Sequence, residues 1–276
     1  MSAEVRKPAG LSSLLTRLGS ALIVGAVMLA VVIWGRTLGL GVLLGAIAAI
    51  ASAEFYSITR REHRLPNEVF GVLAAASMPI ATALWGKLGL TATVTTLIVA
   101  SLVWHVVFRQ VRTADTAITV FGAIYVGFLL SHLVLVRALD SGTELTLTII
   151  ISVWANDVFA YLIGSTVGRH KLAPRISPGK SWEGLAAGTL FTVAVWFGLY
   201  YVIDSPLSLG WLVLTGLGIS IAAIVGDLAE SRLKREAGVK DSGRLLPGHG
   251  GFLDRFDSLI LVSVVAYYLL VWGGAQ

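Results

Sequence analysis

The stretch from Val69 to Phe108 reads VFGVLAAASMPIATALWGKLGLTATVTTLIVASLVWHVVF, and its only ionisable side chains are Lys87 and His105. The apolar residues run continuously and do not alternate with polar ones, so the stretch is not a barrel strand with one face to lipid and one to water. A helix needs about 20 such residues to cross the hydrocarbon core of a bilayer. This stretch holds two candidates, 69–86 and 90–108, with Lys87 between them.

The rest of the chain follows the same pattern. Of 276 residues, 56% are hydrophobic and 13% charged, and the mean hydropathy is +0.82. Soluble domains carry roughly 25% charged and 45–50% apolar residues, so a water-soluble fold of this composition could not cover its own surface. Further candidate spans lie at about 18–35, 37–57, 117–139, 145–168, 184–203, 209–230 and 256–273. The expected fold is an all-α polytopic integral membrane protein of about nine transmembrane helices. Residues 1–10 lack the pattern of a cleaved signal peptide, and the first apolar run reads as a retained helix. With no cysteine, disulfides and thiol chemistry are excluded.

The basic residues test that count. If the N-terminus is cytoplasmic and the spans alternate, 18 of the 21 Lys and Arg residues fall in cytoplasmic segments, with Arg36, Lys87 and Arg137 outside. The positive-inside bias gives such asymmetry only when span number and orientation are both right. The expectation is therefore a cytoplasmic N-terminus and an external C-terminus. Residues 1–115 read as a transmembrane scaffold, and 116–276 as a catalytic transmembrane region. That region carries two polar cytoplasmic connections, 169–183 and 230–257.

The second connection, with the helix end before it, reads IVGDLAESRLKREAGVKDSGRLLPGHGGFLDRFDS from Ile224 to Ser258. Asp227, Glu230 and Ser231 are spaced to share one helical face, as are Asp254 and Asp257 near the start of the last helix. Between them come Lys234, Arg235, Lys240 and Arg244, then Pro247-Gly248-His249-Gly250-Gly251, whose glycines allow close backbone approach to a ligand. Carboxylates from two helix ends beside a basic, glycine-rich loop suit a metal-bound polyphosphate, since Mg²⁺ prefers a few carboxylates plus phosphate oxygens and water, and Lys and Arg neutralise the remaining charge. A single carboxylate at a membrane-helix end can simply sit among headgroups, and a basic loop is what orientation alone requires. Neither accounts for the whole array.

In the first connection and the span before it, Asn156 and Asp157 interrupt an apolar run. A membrane acid is costly, by roughly 2.5–3.5 kcal/mol at the bilayer centre, so Asp157 should face a polar cavity or a partner. Ser177-Pro178-Gly179-Lys180-Ser181 lacks the GxxxxGK[ST] spacing and is not a Walker A loop. Glu54 ends the second span and pairs, on this reading, with Arg60 or Arg61. His105 and His132 read as buried, hydrogen-bonded histidines.

The stretch from Ser231 to Asp257 closely resembles the signature of the phosphatidate cytidylyltransferase (CDP-diacylglycerol synthase) family. It does so through Ser231, Lys234-Arg235, Lys240-Asp241, Leu246-Pro247-Gly248-His249-Gly250-Gly251 and Asp254-Arg255-Phe256-Asp257. Gly226-Asp227, residues 171–178 and Lys180-Ser181-Trp182-Glu183-Gly184 also resemble that family. The resemblance is strong over 150–260, whereas the N-terminal third matches in length and hydrophobicity only. Asp157-Val158 stands where members often have Asp-Thr.

The resemblance implies transfer of a cytidylyl group from CTP to phosphatidic acid, giving CDP-diacylglycerol and pyrophosphate at the cytoplasmic face of the cell (inner) membrane. It also implies Mg²⁺, K⁺ as an additional monovalent cation, and a homodimer, with no nucleic-acid partner. The expected metal ligands are Asp227, Asp254, Asp257 and Asp157, with Lys240 beside the carboxylates in catalysis. Ser231, Lys234, Arg235, Arg244, His249, Gly250, Lys180 and Ser177 are expected to bind substrate. Two rivals stay open: a CTP-dependent transferase or kinase acting on an isoprenoid lipid, and a cation-coupled transporter.

Overall fold

The computed structural model describes residues 11–59, 67–202, 207–243 and 250–275, without the side chains of 11–18, 20 and 21. Helices account for most of it: α1 (Leu11–Trp34), α2 (Arg36–Thr59), α3 (Glu68–Val107), α4 (Thr113–Ala123), a π-helical turn (Ile124–Phe128), α5 (Leu129–Arg137), α6 (Gly142–Val167), α7 (Trp182–Leu199), α8 (Leu209–Glu236) and α9 (Leu253–Gly273). Seven helices, taking α4 to α5 as one, are long and apolar enough to cross a membrane, and 22–34 forms a shorter apolar helix. The protein is an all-α polytopic membrane protein with one small addition. Lys171–Ala173 (β1) and Ser177–Ser181 (β2) form an antiparallel hairpin where the sequence suggested only a connection.

Residues 69–107 lie in α3, which breaks at Gly86 and is capped by Phe108. There φ is +59° and ψ −142°, a backbone open to glycine because it has no Cβ. Both ends of α3 reach α4: the Asn67 N–H donates to Thr119 Oγ1 (3.0 Å), and His105 Nδ1 lies 3.2 Å from Thr116 Oγ1. A straight helix of 40 residues would separate its ends by roughly 60 Å. Helix α3 is therefore a hairpin of two antiparallel arms folded at Gly86.

Close packing depends on missing side chains. A Cβ on Gly127, in the π turn, would lie 2.5–2.9 Å from the backbone of Ala75 on α3. Such contacts let membrane helices approach when no hydrophobic effect drives them together. Backbone cannot step aside, so Gly127→Ala should cost about 1–3 kcal/mol. Its thermal midpoint in detergent should fall; an unchanged midpoint would show that α3 and the π turn can separate freely. His132 is buried, with Nδ1 2.9 Å from the Phe128 carbonyl, as read from the sequence.

The helix ends sort by polarity. The end of α2, both ends of α3, the start of α4, the β1–β2 hairpin and the facing ends of α8 and α9 gather at one end of the bundle, joined by the Asn67, His105, Lys180 and Glu54 contacts. Away from it, Arg137 Nε donates to the Val32 carbonyl (3.3 Å), and Lys87 Nζ sits 5.8 Å above the Tyr267 ring.

Candidate active site

Helix α8 runs past the expected end of its span, to Glu236. Lys234 contacts Glu230 one turn earlier, Arg232 Nε donates to Glu236 (2.9 Å), and these i,i+4 pairs sustain the helix beyond its apolar part. It stops at Gly238, where φ is +66° and the Gly238 and Val239 N–H groups bond to the Arg235 and Lys234 carbonyls. This is a Schellman cap. Ser231, Lys234 and Arg235 therefore stand on a rigid helix.

Helices α8 and α9 approach closely at the site. A Cβ on Gly226 would lie 2.6 Å from the Asp257 carbonyl, and Ser258 Oγ donates to the Ala223 carbonyl (3.1 Å). That contact sets Asp227 beside Asp257 as a charged neighbour, with Asp157 of α6 as a second. Asp157 is exposed on its helix, and its charged neighbours are Asp227, Lys180 and Arg255. The polar insertion in α6 thus serves two faces. Asn156 points inward, where its Oδ1 accepts Ser220 Oγ of α8 (3.0 Å) and Thr192 Oγ1 of α7 (3.5 Å). Gly184 and Gly188 of α7 pack against the Ala160 and Asn156 carbonyls. With α6 fixed in this way, the adjacent Asp157 turns toward Asp227.

The hairpin supplies the cation. Lys180 Nζ on β2 lies 2.5 Å from Asp227 Oδ2, and Ser231 Oγ donates to Asp227 Oδ1 (3.1 Å). The hairpin is held at its base by the Trp182 N–H to the His170 carbonyl (2.9 Å) and by His170 Nδ1 against Glu183 Oε1 (2.6 Å).

Asp254 belongs to a second cluster. Lys234 Nζ lies 2.6 Å from Asp254 Oδ1 and also contacts Glu230, which is 1% exposed. Asp254 further accepts the Ser242 N–H (3.0 Å) and the Gly251 N–H (2.8 Å). Gly250 has φ +82° and no room for a Cβ, which would lie 2.7 Å from Asp254 Oδ2. Of the expected site residues, the structure brings together Asp157, Asp227, Asp257, Lys180 and Ser231. It places Lys234 and Asp254 in an adjoining buried pair, Arg235 and Lys240 on the exposed surface, and Ser177 at the start of β2. Arg244 and His249 lie outside the described residues.

Sequence reasoning missed Glu54 as part of this region. Its carboxylate accepts Ser242 Oγ (3.0 Å) and the Leu253 N–H (2.8 Å). Arg60 and Arg61, the partners expected from proximity in the chain, lie outside the described residues. Only tertiary structure carries this signal.

Among the described residues, no three His, Cys, Asp or Glu side chains form a ready-made metal cage. An all-oxygen carboxylate set, with Asp157 exposed and Asp227 and Asp257 half-buried, nevertheless fits Mg²⁺, which leaves part of its coordination to phosphate and water.

Residues 15–272 match the sequence profile of the cytidylyltransferase family. Among curated proteins, the chain is 37% identical over 171 residues to the phosphatidate cytidylyltransferase of Bacillus subtilis, covering 61% of this chain and 64% of that protein. It is 40% identical over 157 residues to the enzyme of the same name from Staphylococcus haemolyticus, covering 57% and 60%. The Staphylococcus aureus protein of that name is 39% identical over the same shares. These matches span less than two thirds of each relative's length.

Proposed function

Since the chain belongs to the cytidylyltransferase family, we propose that it transfers the cytidylyl group of CTP to phosphatidic acid, releasing pyrophosphate. The observation that carries this reading is the convergence of Asp157, Asp227 and Asp257 beside Lys180 at the polar end of the bundle.

Asp157, Asp227 and Asp257 would hold Mg²⁺, and the bound ion would offset the charge of the triphosphate and the departing pyrophosphate. A phosphate oxygen of the lipid forms a bond to the α-phosphorus of CTP, and the bond from that phosphorus to pyrophosphate breaks. The attacking oxygen is already anionic, so no strong general base is needed. The difficulty is bringing two anions together, and fixed charges meet it. Lys180 reaches the carboxylates from one side, Ser231 fixes the Asp227 rotamer, and Arg235 and Lys240 meet the triphosphate from the exposed side. Asp254 acts by holding Lys234 and the backbone at Ser242 and Gly251.

On this reading each arm of α3 crosses the membrane and α1 adds another crossing, for nine in all. The N-terminus is cytoplasmic, the C-terminus external, and the active site faces the cytoplasm at the inner membrane. The gathering at one end of the bundle of the helix ends that flank the basic stretches of the sequence supports that orientation. K⁺ and a homodimer are further proposals, resting on the family resemblance alone.

The detergent-purified protein, given labelled CTP, phosphatidic acid and Mg²⁺, should form a labelled lipid that EDTA prevents. Label appearing only with a polyprenyl phosphate or alcohol would move the assignment to isoprenoid lipids. Folded protein that labels no lipid at all would overturn the transferase reading.

A further inference from the structure

We propose that Glu54, on a helix of the N-terminal scaffold, is a positioning residue that pins the active-site chain at Ser242 and at Leu253. The inference rests on the proposed function for its kinetic consequence, whereas the pin itself can be tested without turnover.

Helix α9 begins without a cap of its own: Phe252 precedes it and makes no side-chain capping bond. The first N–H groups of a helix have no intrahelical partner, and a negative charge there is favourable. Glu54 supplies both from another helix, since its Oε2 accepts the Leu253 N–H at 2.8 Å. The same oxygen accepts Ser242 Oγ at 3.0 Å. Asp254 mirrors this arrangement by accepting the Ser242 and Gly251 N–H groups. The points where the chain enters and leaves residues 244–249 are thus tied to the same two carboxylates. One, Asp254, is on α9 itself, and the other, Glu54, belongs to α2.

Two glycines make room for the pin. A Cβ on Gly243 would lie 2.3 Å from Glu54 Oε1, 2.7 Å from its Cδ and 3.1 Å from its Cγ. A Cβ on Gly251 would lie 2.4 Å from Glu54 Oε2 and 2.1 Å from Ser242 Oγ. Neither glycine has a left-handed backbone, so a side chain at either would act by displacing the Glu54 carboxylate, and at Gly251 the Ser242 hydroxyl, and not by straining the backbone. For Gly243 the three nearest obstructing atoms all belong to Glu54. The carboxylate and the glycine therefore form a matched pair.

The test compares the full-length protein with Glu54→Ala, Glu54→Gln, Gly243→Ala and the double variant Glu54→Ala/Gly243→Ala. Amide exchange over 240–255 is measured alongside kcat and KM for CTP. Glu54→Ala should speed exchange at Ser242, Gly251 and Leu253, leave the other helices protected, and lower kcat/KM by about 10–100-fold, the range for residues that orient a site's ligands. Glu54→Gln, which keeps one acceptor oxygen, should recover most of that loss. Gly243→Ala should impair the parent protein but add nothing in the Glu54→Ala background, since coupled residues are non-additive. Should Glu54→Ala fail to fold, Ser242→Ala removes one bond and no charge, and it should speed the same exchange. Unchanged exchange in the folded variants, or additive effects of the two substitutions, overturns the proposal. A parent protein that does not turn over CTP defeats the functional reading alone, because the exchange measurements still decide the pin.

Discussion

Asp257→Asn is expected to abolish turnover while leaving the protein folded. Asp257 stands on the first turns of α9 with Asp227 and Asp157 as its charged neighbours. The close approach of Gly226 to its carbonyl fixes its place. Asparagine keeps the shape and retains an oxygen able to accept the Ser258 N–H, which Asp257 Oδ1 now accepts at 2.6 Å. Only the charge is lost. Three carboxylates without a bound cation repel one another, so removing one charge should leave the thermal midpoint at or above that of the parent protein. On the proposed function, catalysis would depend on the same charge in the opposite sense. Removing one preorganised electrostatic contact costs about 10²–10³-fold in rate, and here the loss should reach at least that. The Mg²⁺ concentration for half-maximal rate should rise in any residual activity. A folded Asp257→Asn variant with near-parental turnover would remove Asp257 from the site.

What was legible in the sequence, and what was not, divides along physical lines. The apolar stretches announce themselves because lipid tolerates no unpaired backbone polar groups and few charges. The Asp227, Glu230 and Ser231 spacing was legible for the same reason that helices are periodic. The extension of α8 to Glu236 was not, because the charged run 232–236 looks like solvent-exposed loop until Glu230 is seen buried against Lys234. The hairpin 171–181 was also hidden. Its second strand contains Pro178 and Gly179, poor strand formers, and its place is set by the Lys180–Asp227 and His170–Glu183 contacts. The partners of Glu54 lie 188 and 199 residues away, beyond any local pattern. The sequence therefore singled out candidate site residues more readily than the long-range contacts that hold them in place.

Lys234 shows how that distinction can be measured. Read from the sequence, it is one of several cations for phosphate, and its loss should weaken CTP binding in a protein that folds normally. In the structure its ammonium lies between Glu230 and Asp254, with side-chain exposures of 13%, 1% and 7% respectively. Asp254 has backbone N–H donors from Ser242 and Gly251 as well, whereas Glu230 has only Lys234 as a cationic partner, with Asp254 as its other side-chain neighbour. Breaking a buried pair from one side leaves an uncompensated charge, at a cost of about 3–5 kcal/mol. Lys234→Met keeps the length and apolar stem and removes only that charge. It should therefore lower stability by this amount, read from the unfolding midpoint in detergent titrated with dodecyl sulfate. Adding Glu230→Gln replaces one of the two buried carboxyl groups left without the ammonium and should restore a large part of the loss, an interaction of the sign expected for residues in one network. A Lys234→Met protein as stable as its parent but weak in CTP binding would show that the ammonium serves the substrate instead, and that Glu230 is accommodated without it.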